Sequence, residues 1–149
     1  MHLIIAEKNL AGERIAQILG GKTTRLQTKG FAKYYSFTLN NQENVVLPLR
    51  GHIVEVDFPK QYGYWRGTDL KQLVNAPILY LPSDPPIANL LSEMGALAKK
   101  VIIATDADRE GESIGVEALR IIQEKNPNVP VERAYFSAMT PKELVKSFD

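Results

Sequence analysis

Apolar residues in this chain gather in short unbroken runs, separated by stretches where they return at helical spacing. Leu3-Ile4-Ile5-Ala6 is one such run and Val101-Ile102-Ile103-Ala104 is another. Runs of that length without alternation suit strands covered on both faces. After the first run, Leu10, Ile15, Ile18 and Leu19 recur near helical spacing and predict a helix ended by Gly20-Gly21. The pattern then turns β-prone: 23–27, 33–39 and 45–56 predict strands, with Asn40-Asn41-Gln42-Glu43-Asn44 as a hairpin turn between the last two. Residues 59–77, rich in Pro, Gly and Tyr around Trp65, predict an irregular excursion.

From residue 78 onward strands and helices alternate. Ile78-Leu79-Tyr80-Leu81 predicts a strand, and Asp84-Pro85 then offers an N-cap followed by proline at the first helical position. That helix runs through Leu90, Leu91, Met94 and Leu97. The 101–104 strand leads into a helix over 111–125 with Ile114, Ala118, Leu119 and Ile122 as its inner face, stopped by Asn126-Pro127. Residues 131–136 predict a further strand, and Thr140-Pro141-Lys142-Glu143 a capping box at the start of a last helix. The order predicts an α/β fold: a parallel, doubly wound sheet flanked by helices, with a β-rich insertion at about 22–77. The 149 residues suit one domain. A chain ending so soon after a helix begins is expected to be part of a longer polypeptide.

Composition narrows the classes. Hydrophobic residues make up 44% of the chain, enough for a core. No apolar run approaches the ~20 residues of a membrane span. Glu7 comes too early for a signal peptide, so a cytoplasmic location is expected. Cysteine is absent, which removes disulfides, thiolate metal sites and cysteine nucleophiles. The net charge is only +1, but it is unevenly spread. Residues 1–33 hold six cations against two carboxylates, and residues 101–124 hold six carboxylates against two arginines. Such a division suits a surface that meets phosphate and also holds a cation; it also suits ordinary solvated faces.

The candidate chemistry lies in Thr105-Asp106-Ala107-Asp108-Arg109-Glu110-Gly111-Glu112, between the clearest strand and the clearest helix. Ligands of open α/β sheets collect at the carboxyl ends of strands, where this turn sits. Four carboxylates so close repel one another in a dry site unless a cation neutralises them. Mg2+ takes oxygen ligands and keeps several waters, so Asp106 and Asp108 with Glu110 close behind would be enough. The competing reading is a solvent-facing acidic loop at a helix N-terminus. Glu7 closes the first apolar strand, and if both strands are central it faces the acidic turn. A carboxylate among carboxylates has a raised pKa and can exchange a proton near neutrality. Lys8 would offer phosphate a point charge; the alternative is an ordinary helix start with a solvated lysine. The aromatics Tyr34, Tyr35, Tyr62, Tyr64 and Trp65 either stack bases or pack against the sheet. No phosphate-loop pattern is present, which leaves ATP use unsupported.

The pairing of Ile4-Ile5-Ala6-Glu7-Lys8 with the acidic turn about a hundred residues later resembles the Toprim fold, shared by topoisomerases, bacterial-type primases and some nucleases. The full DxDREGE run, the element Arg50-Gly51-His52-Ile53 and the segment Arg133 to Thr140 resemble the type IA DNA topoisomerase branch. Lys8 directly after Glu7, and Ala138 where many bacterial relatives have glutamate, favour a topoisomerase III-like or archaeal-type member. The resemblance implies a Rossmann-like Toprim domain over 1–149. In such enzymes a tyrosine breaks and reseals one strand of single-stranded DNA through a 5′-phosphotyrosine link. By the same resemblance Glu7 exchanges a proton with the departing 3′ oxygen, and Lys8 and Arg109 act beside it. Glu7, Asp106, Asp108 and Glu110 form the Mg2+ site, and Lys8, His52 and Arg109 meet DNA. The tyrosine belongs to downstream domains absent from this chain, so the expected form is a monomeric domain that is inactive alone. A Toprim nuclease or primase, using the same carboxylates for metal-dependent hydrolysis or nucleotidyl transfer, is the alternative.

Overall fold

The computed structural model describes residues 1–64 and 66–148, so Trp65 and any stacking by it lie outside the described residues. The elements in chain order are β1 (His2–Ala6), α1 (Asn9–Gly20), β2 (Arg25–Lys29), β3 (Ala32–Leu39), β4 (Gln42–Pro48), β5 (Val54–Asp57), α2 (Leu70–Val74), β6 (Leu79–Pro82), α3 (Pro85–Leu97), β7 (Lys100–Ala104), α4 (Arg109–Gln123), β8 (Val131–Arg133) and α5 (Pro141–Phe148). One six-stranded sheet runs β2-β3-β4-β1-β7-β8. Its four strands β4, β1, β7 and β8 are parallel, and β2 and β3 extend it antiparallel.

The unbroken apolar runs are explained by helices on both faces. Leu3, Ile5, Val45, Leu47, Val101 and Ile103 join one core with Ile87 and Leu91 of α3 and Ile114 and Ile122 of α4. Ile4, Ala6, Val46, Ile102 and Ala104 join the other, with Ile15 and Ala16 of α1 and Leu144 of α5. Alternate side chains of each central strand therefore go to opposite layers. Full burial of such a leucine or isoleucine contributes about 1.5–3 kcal/mol.

The stretch 45–56 is not one strand. Val45 to Leu49 are buried and β4 lies directly beside β1, while β5 pairs with β6 in a separate two-stranded sheet. Strands β2, β3 and β4 thus belong to the main sheet rather than to an insertion beside it, and only residues around β5, α2 and β6 stand apart. The physical reason lies in the run Val45-Val46-Leu47, which needs cover on both faces and finds it only in the middle of the sheet. The strand expected at 78–81 forms as the exposed β6, but it pairs antiparallel with β5 instead of beginning the parallel half. Leu10 and Leu97 are exposed rather than inward, because α1 buries Gly12, Ile15 and Ala16 and α3 buries Ile87, Ala88, Leu90, Leu91 and Gly95.

Local signals hold in the turns. Asn40 and Asn41 both take positive φ (51° and 59°), the conformation of a two-residue hairpin turn. Asp84 accepts the Ile87 N–H at 3.2 Å and caps α3. The last capping box is half made. Thr140 Oγ1 accepts the Glu143 N–H at 3.3 Å, while Glu143 Oε1 accepts from Ser137 instead of turning back to residue 140. Among the described residues no helix is long and apolar enough to cross a membrane.

Candidate active site

Register brings the site together. Ala6 stands opposite both Pro48 and Ala104, so β1, β4 and β7 end level with one another. Glu7, the segment 49–52 and the acidic turn therefore share one edge of the sheet. The ladder continues past the strands: the Leu49 N–H donates to Ala6 O at 2.9 Å and the Gly51 N–H to Glu7 O at 3.0 Å. Glu7 is 4% exposed, one of three buried polar residues among those described, with Asn44 and Thr105. Its Oε2 accepts the Asp106 N–H at 3.3 Å, and its Oε1 lies 3.8 Å from the exposed Lys8 Nζ. Burying a carboxylate is costly unless hydrogen bonds and opposite charge offset the lost water; these two contacts supply both.

The acidic turn is built from the inside. Thr105 Oγ1 donates to Gly111 O at 2.7 Å, and the Gly111 N–H donates to Asp108 Oδ1 at 2.7 Å. Asp108 is thus the N-cap of α4. A Cβ at Gly111 would stand 2.0 Å from Asp106 O, so the turn closes only with glycine there. From β8, the Arg133 guanidinium donates to the carbonyls of Ile103, Thr105, Asp106 and Ala134 at 2.7–3.1 Å. It also pairs with Glu112 at 2.7 Å and lies over the Tyr135 ring. Glu112, the last acid of the run, is therefore engaged by Arg133. Asp106 and Asp108 line one cleft of about 330 Å³ with Phe136, Ser137 and Met139. A larger cavity of about 550 Å³ lies between α3, α4 and β6; of the groups around His52 it takes in only Glu117 and Val54.

Residues 109–123 carry a second acidic group that sequence reasoning missed. Glu117 Oε1 lies 2.8 Å from His52 Nδ1, and its Oε2 accepts the N–H groups of Ile53 and Val54 at 3.1 and 3.3 Å. Glu110 Oε1 stands 3.7 Å from His52 Nε2. Glu110 and Glu117 are two helical turns apart and share a face of α4, a spacing visible in the sequence once His52 is known to lie there. The hydrogen bond that His52 donates to Glu117 raises the His52 pKa above its ordinary value, with the charges of Glu117, Glu110 and Glu7 adding and desolvation opposing.

Residues 2–139 match the family model described as Toprim domain. The chain belongs to the Toprim family. It is 43% identical over 146 residues to the DNA topoisomerase 1 of Archaeoglobus fulgidus, covering 98% of this chain and 22% of that protein. It is 42% identical to the DNA topoisomerase 1 of Thermoplasma acidophilum, covering 98% and 19%, and 34% identical to the DNA topoisomerase 3 of Dictyostelium discoideum, covering 95% and 18%. The chain spans about a fifth of the length of these curated relatives.

Within this Toprim domain, Glu7 and the Asp106 backbone meet, and Glu110 sits with His52. Lys8, the N-cap position of α1, and Arg109, the first residue of α4, are exposed. Both helices aim their N-terminal ends at this edge, where orphan N–H groups and the helix dipole favour an anion. Among the described residues no three carboxylates or imidazoles gather closely enough to enclose a cation. The oxygen donors of Asp106 and Asp108, both exposed in one cleft, suit a hard cation that keeps most of its water. Of the aromatics, Tyr35 is buried and Tyr34 packs on the core, while Tyr64 is exposed.

Proposed function

We propose that this chain is the proton-transfer and metal-holding part of a type IA DNA topoisomerase acting on single-stranded DNA. The observation that carries the reading is the buried Glu7 carboxylate bonded to the Asp106 amide at the rim where two helix N-termini converge. The names of the relatives support the reaction class. When a tyrosine hydroxyl attacks phosphorus, the P–O3′ bond breaks and the leaving oxygen needs a proton. Glu7 is the donor, while the tyrosine's own proton leaves to solvent. On resealing, Glu7 takes a proton from the attacking 3′ hydroxyl and the expelled tyrosine oxygen is reprotonated from solvent. The covalent link keeps the bond energy, so resealing needs no nucleotide. Lys8 and Arg109 approach the phosphate from the two helix starts, and His52 Nε2 meets the strand beside them. Asp106 and Asp108, with Glu110 assisting, would hold Mg2+, which supplies positive charge to the phosphate oxygens. The tyrosine is assigned to the further domains of the same polypeptide.

The 149-residue chain incubated with single-stranded DNA and Mg2+ or Mn2+ tests this. The expected result is neither nicking nor relaxation, with activity appearing in the whole polypeptide. Nicking by the chain alone that disappears in Asp106→Asn would replace this reading with a metal-dependent nuclease.

A further inference from the structure

Phe31 is 91% exposed, at the turn between β2 and β3. Its place in the sheet sets it apart from other exposed apolar residues. Strand β3 runs antiparallel to β4 in the register Tyr35↔Val46. Continuing that register beyond the ladder brings Phe31 level with Arg50, at the edge where Glu7 and the acidic turn stand. Two strand spacings, about 10 Å, separate β3 from β1. A chain of contacts closes the gap. Arg50 Nη2 donates to Phe31 O at 3.5 Å, and the next residue, Gly51, donates its N–H to Glu7 O at 3.0 Å. Arg50 is itself anchored by Asp84, 3.6 Å from its Nε.

Lys29 and Lys33 flank the turn, while Arg25, opposite Ser36, and Lys22 lie toward the far end of the hairpin; residues 22–38 hold no carboxylate. Lys29 is bridged to Glu93 of α3; Lys33, two residues after Phe31, is exposed. An exposed aromatic ring set among cations is the combination with which single strands are held, the base stacking on the ring while the phosphates track the charges.

We infer that Phe31 is a base-stacking contact for single-stranded DNA, extending the binding track from Glu7 and His52 along the sheet edge over Arg50 to the β2–β3 turn. This rests on the DNA reading proposed above and adds a contact to it. The ring holds a base further along the strand from the reacting phosphate, and stacking makes it tolerant of sequence.

The test uses the 149-residue chain with a short deoxythymidine oligonucleotide at low ionic strength, followed by amide and ring-proton shifts. Upfield movement of the Phe31 ring protons is expected, with Phe31→Ala weakening binding about tenfold and Phe31→Trp restoring it. The exposed position makes both variants fold as the parent does, which their amide spectra check. If Phe31→Ala binds like the parent while His52→Ala binds more weakly, the stacking contact is overturned and the DNA reading stands. If the parent shows no shifts with the oligonucleotide, the DNA reading of this edge fails and the inference falls with it. Shifts of Phe31 only on adding the remaining domains, without DNA, would make the turn a protein-docking point and also overturn it.

Discussion

The Glu7 carboxylate accepts the Asp106 N–H at 3.3 Å, joining two segments 99 residues apart in the chain. A glutamine at position 7 keeps an oxygen for that bond and loses only the exchangeable proton. If the proposed function holds, Glu7→Gln in the whole polypeptide should slow strand cleavage and resealing by about 100-fold or more. Single-stranded DNA affinity should change little, as a gel-shift titration would show. Relaxation at the parent rate in Glu7→Gln would remove Glu7 from its proposed role.

Mg2+ should bind this chain weakly, because Asp106 and Asp108 leave most of its ligands to water and substrate phosphate. A Mg2+ titration should move the amides of residues 105–112 and Glu7 first. Asp106→Asn with Asp108→Asn should abolish those shifts while the fold survives, since asparagine also serves as an N-cap and can replace Asp108 at the start of α4. Shifts confined to other acidic residues would move the cation elsewhere.

His52 gives the site a pH dependence. Its pKa is raised above 6.5, chiefly by the hydrogen bond with Glu117. The stabilisation from that contact is therefore complete below pH 6.5 and is lost as pH rises through the folded-state value. Glu117→Gln should lower the His52 midpoint toward 6.5, read from the ring C–H shifts across a pH series. An unchanged midpoint would show that Glu117 does not set it.

Arg133 should matter to stability. It serves four backbone carbonyls and Glu112 from a largely buried position. Arg133→Ala removes this donor from the Thr105, Asp106 and Ala134 carbonyls, while Ile103 O keeps the Ala134 N–H, and should cost roughly 2–4 kcal/mol in urea unfolding. The spectral changes should centre on residues 103–112. A loss under about 1 kcal/mol would mean that water replaces the guanidinium readily.

Much of this was legible before any pairing was known. Leu3 to Ala6 and Val101 to Ala104 are unbroken apolar runs, and runs of that kind are stable only between two covering layers. The capping roles of Asp84 and Asp108 and the turn at Asn40-Asn41 are local, settled within a few residues by backbone geometry and short side chains. The acids at 7 and 106–110 could be marked as candidates because each follows a predicted buried strand.

Tertiary structure alone decided the neighbours. Periodicity tells which residues need cover, and it carries no label for the strand that will stand alongside. That β4 lies beside β1, and that Ala6, Pro48 and Ala104 end level, follows from pairing across forty to a hundred residues. The same level edge brings Glu117 to His52, Arg133 beneath the acidic turn and the exposed ring of Phe31 into line with Arg50. Those meetings depend on where whole elements pack, and an arginine or glutamate on an exposed helix or short strand has no local pattern that distinguishes it from a solvated one.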